Sequence, residues 1–121
     1  MKIAIPLMEE NEEESRISEH FGRAPYFAFV ELKGDKTYTF EIEKNPFEEH
    51  SPGDIPRYLH DKSIDLIVVR SIGKEALNFF EKYNIKVIRG VDGNLKEIVQ
   101  MAISNELKDQ GYNEDSKCCH E

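Results

Sequence analysis

The sequence predicts an α/β domain built on a mixed β-sheet, and its apolar patterning carries that prediction. Ile3, Ile5 and Leu7 alternate with Ala4 and Pro6, and Leu66-Ile67-Val68-Val69 runs unbroken between Asp65 and Arg70. Both stretches are apolar on both faces, as strands covered on two sides must be. Tyr26 to Leu32 and Thr37 to Ile42 flank Lys33-Gly34-Asp35-Lys36 and read as a hairpin turning at Gly34-Asp35. Beyond the hairpin, stretches of helical periodicity alternate with short apolar runs, the pattern of helical crossovers between parallel strands.

In chain order, Pro6 marks the end of the first strand, and Glu9 to Glu14 follows as an acidic, solvated loop. That loop has neither the alternating oxygen ligands nor the glycine of a calcium site. Asn45-Pro46 stops the second arm of the hairpin, and Ser51-Pro52-Gly53-Asp54 punctuates the chain again. Asp54 is suited to cap a helix in which Pro56 occupies the tolerant first turn and Ile55, Tyr58 and Leu59 face inward. Ala76, Phe79, Phe80 and Tyr83 recur at helical spacing from a start near Ser71 to Gly73, an aromatic stripe that reads as core. Ile85, Val87 and Ile88 form a last strand ended by Gly90 and Asp92-Gly93. Asn94 with Glu97 resembles a capping box ahead of Leu95, Ile98, Val99, Ala102 and Ile103. The hairpin returns the third strand to the direction of the first, and right-handed crossovers keep the fourth and fifth parallel to it.

At 121 residues the chain suits one domain, here residues 1–107, with 108–121 a flexible polar tail ending in Cys118-Cys119-His120. Its 24 acidic and 16 basic residues leave a net charge of −8, the wrong sign for a groove that tracks nucleic-acid phosphates. No window has the apolar length of a membrane span, and Ile3 to Met8 is too short for a signal sequence, so a cytoplasmic protein without membrane partners is expected. Adjacent cysteines cannot staple distant segments, which leaves redox or metal chemistry for them.

One segment concentrates chemistry: Ser18-Glu19-His20-Phe21-Gly22-Arg23-Ala24-Pro25-Tyr26-Phe27. His20 offers a metal ligand, Arg23 a fixed cation, Gly22 a bend, and Pro25 stiffness before the strand. Together with Met1-Lys2-Ile3-Ala4-Ile5-Pro6, this segment resembles the dinitrogenase iron-molybdenum cofactor biosynthesis family. Glu43-Lys44-Asn45-Pro46 with His50, Ile72-Gly73 with Ala76, and Gly90-Val91-Asp92-Gly93 fit the same family. The resemblance implies a ribonuclease H-like fold, a mixed five-stranded sheet in the order 3-2-1-4-5 with helices on both faces. Arg70-Ser71 departs from it, because the family usually carries a pair of glycines there.

With the first, third, fourth and fifth strands pointing one way, His20, Arg23, His50, Arg70, Ser71, Gly73 and the Asp92-Gly93 turn are expected on one rim. Ligands of open α/β sheets bind there, and helix starts near Gly73 and Asn94 favour an anion. The expected cofactor-contacting residues are Ser18, His20, Phe21, Gly22, Arg23, Arg70, Ser71 and Gly73. The expected metal ligands are His20, His50, Cys118, Cys119 and His120. An extended tail of this length reaches about 45 to 50 Å, enough to return to the rim.

Nuclease or phosphotransferase chemistry on this fold needs carboxylates on the central strands, and Ile3 to Leu7 and Leu66 to Val69 carry none. No nucleophile set in place by a catalytic histidine is visible, and Cys118 and Cys119 lie in a tail that cannot hold catalytic geometry unaided. As the resemblance implies, the expected protein is a non-enzymatic carrier or assembly protein for an iron-sulfur or molybdenum-containing cluster or its precursor. A cluster-donor or acceptor protein would be its partner. The alternative is a small regulatory domain that senses an anion or metal and acts through a protein partner.

Overall fold

A computed structural model of the chain describes residues 1–34, 36–46, 53–104 and 107. Strands β1 (Lys2–Leu7), β2 (Tyr26–Leu32), β3 (Tyr38–Lys44), β4 (Leu66–Val68) and β5 (Lys86–Ile88) form one sheet in the order β3-β2-β1-β4-β5. Helices α1 (Asp54–Asp61) and α2 (Lys74–Lys82) fill the β3–β4 and β4–β5 crossovers, and α3 (Leu95–Ile103) follows β5. β1 runs antiparallel to β2, from Lys2 opposite Glu31 to Leu7 opposite Tyr26, and parallel to β4, with Ile3 opposite Leu66. β4 and β5 are parallel and β2 and β3 antiparallel, so the predicted strand directions and order hold. None of the described helices is long and apolar enough to cross a membrane.

The sheet separates two cores because side chains alternate across a strand. On one face Ile3, Ile5, Leu7 and Val68 pack with Leu95, Ile98 and Val99 of α3. On the other, Ala4, Ile67 and Val69 pack with Ile55 and Leu59 of α1 and Phe80 of α2. β1 and β4 are thus covered twice, which is why their sequences are apolar at every buried position.

Boundaries differ from expectation by a residue or so. Gly53 occupies the N-cap of α1 and Asp54, expected there, is the first helical residue, where its charge still complements the amide end of the helix. The capping box of α3 is present: Asn94 Oδ1 accepts from the Glu97 amide at 2.9 Å, and Glu97 Oε1 accepts from the Asn94 amide at 3.0 Å. Gly93 precedes it at φ +124°, where a Cβ would stand 2.9 Å from Glu97 Oε1, so only glycine fits beside this cap. Asn94→Ala should cost about 1 kcal/mol, a fall of about 4 °C in Tm by thermal unfolding. An unchanged Tm would mean the cap is replaced by water.

Candidate functional site

The rim is assembled by backbone hydrogen bonds between loops distant in sequence. Proline has no amide proton, and Pro6 lies beyond Ala4, where the described pairing of β1 with β4 ends. Its carbonyl instead accepts from the Ser18 amide at 2.8 Å, while Met8 donates to Arg16 at 2.8 Å, folding the loop back along β1. Ile17 then donates to the Gly93 carbonyl at 3.0 Å, and Leu95 to the Ser15 carbonyl at 2.8 Å. Farther along, Phe21 donates to the Ser71 carbonyl at 3.2 Å, and Gly90 to the Arg70 carbonyl at 3.0 Å. The loops after β1, β4 and β5 are thereby stitched into one edge, as the strand directions require.

Within that edge, a single 3-10 turn at Phe21–Arg23 follows His20, which adopts an extended conformation at its N-cap. The His20 carbonyl accepts from Ser18 Oγ at 3.0 Å and from the Arg23 amide at 3.1 Å. Phe21 is buried, with its ring 5.4 Å from Phe80 in an edge-on arrangement and 5.9 Å from Phe27. Ser18 and Phe21 therefore turn inward and hold the loop, whereas His20 is half-buried and Arg23 exposed.

The His20 side chain is linked to the β4–α2 turn through Glu19. Glu19 Oε1 lies 3.4 Å from His20 Nε2, and Glu19 Oε2 lies 3.8 Å from an Arg70 guanidinium nitrogen. Ser71 Oγ donates to the Glu19 carbonyl at 2.7 Å, so the two turns are joined by main chain and side chain alike. Gly73 caps the N-terminus of α2, and the space its missing side chain would occupy is open. The structure thus brings together Ser18, His20, Phe21, Arg70 and Ser71, with Gly22 and Arg23 in the same 3-10 turn and Gly73 after Ser71. His50, Cys118, Cys119 and His120 lie outside the described residues, as does the tail. Among the described residues, no three His, Cys, Asp or Glu side chains converge on a metal-sized site.

Glu19 had no role in the sequence reading. Adjacency to His20 says nothing about side-chain contact, and its second partner, Arg70, is far away in sequence; only the pairing of the two turns reveals it.

A groove of about 320 Å³ lies at the opposite end of the sheet, lined among others by Lys2, Phe29, Glu31, Glu41, Lys62 and Ile64. It contains none of the rim residues and marks sheet surface that α1 leaves uncovered. At its side, Glu43 accepts from Tyr58 Oη and from Lys62 Nζ, each at 3.0 Å, and Lys62 Nζ sits 5.0 Å from the Phe29 ring centroid. The Lys62 hydrogen bond holds the Glu43 carboxyl below its ordinary value, while burial, followed by Glu43 itself, pushes Tyr58 up to about 12. A depressed carboxylate stabilises the fold above its unfolded value of 4.5, and that contribution is lost as pH falls through the folded value. Both side chains are more than a third exposed, at 37% and 39%, so solvent screening holds the pair to at most about 1 kcal/mol. Lys62→Met should lower Tm by a few degrees at neutral pH and by less near pH 3, where the contact with the Phe29 ring remains to be lost. A difference of the same size at both pH values would show that the pair is not its source.

The fold is an α/β domain whose joined loops form a rim beyond the carboxyl ends of the parallel strands β1, β4 and β5. Residues 1–105 match the family described as dinitrogenase iron-molybdenum cofactor, and the chain belongs to that family. An uncharacterized protein of Methanocaldococcus jannaschii is 27% identical over 111 residues, 89% of this chain and 90% of that one. Among solved structures, the crystal structure of PH0822 is similar with a TM-score of 0.82 and 32% identity, over 92% of this chain and 97% of that one. The apo form of the orange protein from Desulfovibrio gigas has a TM-score of 0.75 over 92% of this chain and 93% of that one. At 15% identity, that likeness shows the shared fold.

Proposed function

We propose that this protein is a carrier or assembly protein, without catalytic chemistry of its own, that holds an iron-sulfur or molybdenum-containing cluster or its precursor at the rim. The observation that carries the proposal is the joining of the His20 loop to the Arg70-Ser71 turn, in a chain whose family is named for the iron-molybdenum cofactor. His20 is the described residue suited to donate to metal, and the arginines balance negative charge on the cargo. His20 thus contacts the cluster directly, and Arg70 and Arg23 grip its periphery by charge and hydrogen bonds. Such a grip suits cargo that must be passed on to a cluster-accepting protein.

The exposed Arg23 and Arg70 beside the N-terminus of α2 favour a second reading, a regulatory domain that binds a simple anion and signals through a partner. Colour separates the two. Protein purified anaerobically should absorb in the visible and contain iron or molybdenum in near-stoichiometric amount. Colourless, metal-free protein that also fails to take up cluster on anaerobic reconstitution would overturn the carrier reading.

A further inference from the structure

Glu19 is placed to do more than join two turns. One of its oxygens faces His20 at 3.4 Å and the other faces Arg70 at 3.8 Å, so a single carboxylate occupies cationic and hydrogen-bonding groups that an anionic ligand would use. Its side chain is 62% exposed and that of Arg70 is 44% exposed, so Glu19 has room to swing into solvent. Its backbone does not follow, because the Glu19 carbonyl is held by Ser71 Oγ at 2.7 Å and the next amide but one, Phe21, is held by the Ser71 carbonyl.

We propose that Glu19 is a built-in competitor at the rim, a tethered carboxylate that holds Arg70 and His20 until a multiply charged anion displaces it. Glu19 thereby sets the charge class of the ligand. The inference rests on the rim being the ligand site and names which anions it accepts. A tethered group acts at an effective concentration in the millimolar range or above. A free monoanion brings the same charge as the carboxylate without the tether, so it gains nothing by exchange. A dianion brings twice the charge and more acceptor atoms, and so displaces it. An exposed ion pair is weak in water, which keeps the exchange reversible.

The test follows the amides of Phe21, Ser71 and Gly73 by two-dimensional NMR while sulfate or thiocyanate is titrated into the full chain at constant ionic strength. The parent should bind sulfate saturably and thiocyanate not at all. Glu19→Gln, whose fold is checked by the rest of the spectrum, should bind sulfate about two- to fivefold more tightly and admit thiocyanate. In an Arg70→Gln background the same change at Glu19 should bring no gain, because the competitor has lost its cation. Sulfate binding that is equal or weaker in Glu19→Gln overturns the proposal and leaves the carrier reading intact. Absence of saturable sulfate binding in both parent and Glu19→Gln overturns the proposal and, with it, the rim as an anion site. A colourless protein that fails to take up cluster on anaerobic reconstitution yet shows the expected sulfate cycle would overturn the carrier reading alone.

Discussion

Val68→Asp is expected to abolish the cooperative unfolding transition at ambient temperature. Val68 is fully buried on β4, opposite Ile88 of β5, and packs in the cluster formed by Ile3, Ile5, Leu95 and Ile98. The buried side chains around it are apolar, so an aspartate there would be ionised without a partner or protonated without its native packing. An unpaired buried carboxylate costs several kcal/mol, and loss of the valine's own burial adds about 1.5 to 3. Against a total stability of about 5 to 15 kcal/mol, that leaves little or no folded protein. Circular dichroism with thermal unfolding measures it. A variant that melts within a few degrees of the parent would contradict the placement of β4 inside the sheet.

Phe80→Ala should lower stability by about 3 to 5 kcal/mol, seen as a fall of more than about 10 °C in Tm. Phe80 is fully buried on α2, and its ring meets that of Phe21 edge-on at 5.4 Å. It supports the turn at Phe21–Arg23 from below, so its loss should reach the rim as well as the core. The Phe21 amide, bonded to the Ser71 carbonyl at 3.2 Å, should exchange with solvent faster in the variant than amides of β1 and β2 do. A loss below about 1 kcal/mol would mean that the cavity collapses freely. Uniform acceleration of exchange would show that the rim does not rest on this ring.

Strand directions and helix placement were legible in the sequence wherever burial imposed a period, and the strand order followed from the family resemblance. β1 and β4 are apolar on both faces because each is covered twice, and the Asn94–Glu97 cap is a local device whose partners lie a turn apart. The hairpin arms, expected at Tyr26 to Leu32 and Thr37 to Ile42, form at Tyr26–Leu32 and Tyr38–Lys44, with Asn45 following the second. The site was legible in part. The topology places His20, Arg70 and Ser71 on one edge, and that much follows from strand direction alone. Long-range pairings were invisible: Ser71 Oγ on the Glu19 carbonyl, Ile17 on Gly93, and Ser18 turned in toward the Pro6 carbonyl. Polar atoms in loops carry no period, so nothing in a one-dimensional pattern distinguishes Ser18, which is buried at 2% exposure, from a serine facing solvent. Phe21 is a similar case. Its neighbours suggested a contact with cargo, whereas its ring fills the core beneath the loop.

The central claim is that cargo is held at the rim through His20, and paired histidine variants test it most directly. His60 lies on α1 and stacks on Tyr83 at 4.4 Å between centroids, near the ends of α1 and α2 and away from the rim, so it serves as the internal control. The measurement is iron, molybdenum and visible absorption of the parent, His20→Ala and His60→Ala, each reconstituted anaerobically under identical reducing conditions. Occupancy should fall severalfold in His20→Ala and remain at the parental level in His60→Ala. Equal occupancy in the two variants would remove His20 from the site and contradict the account.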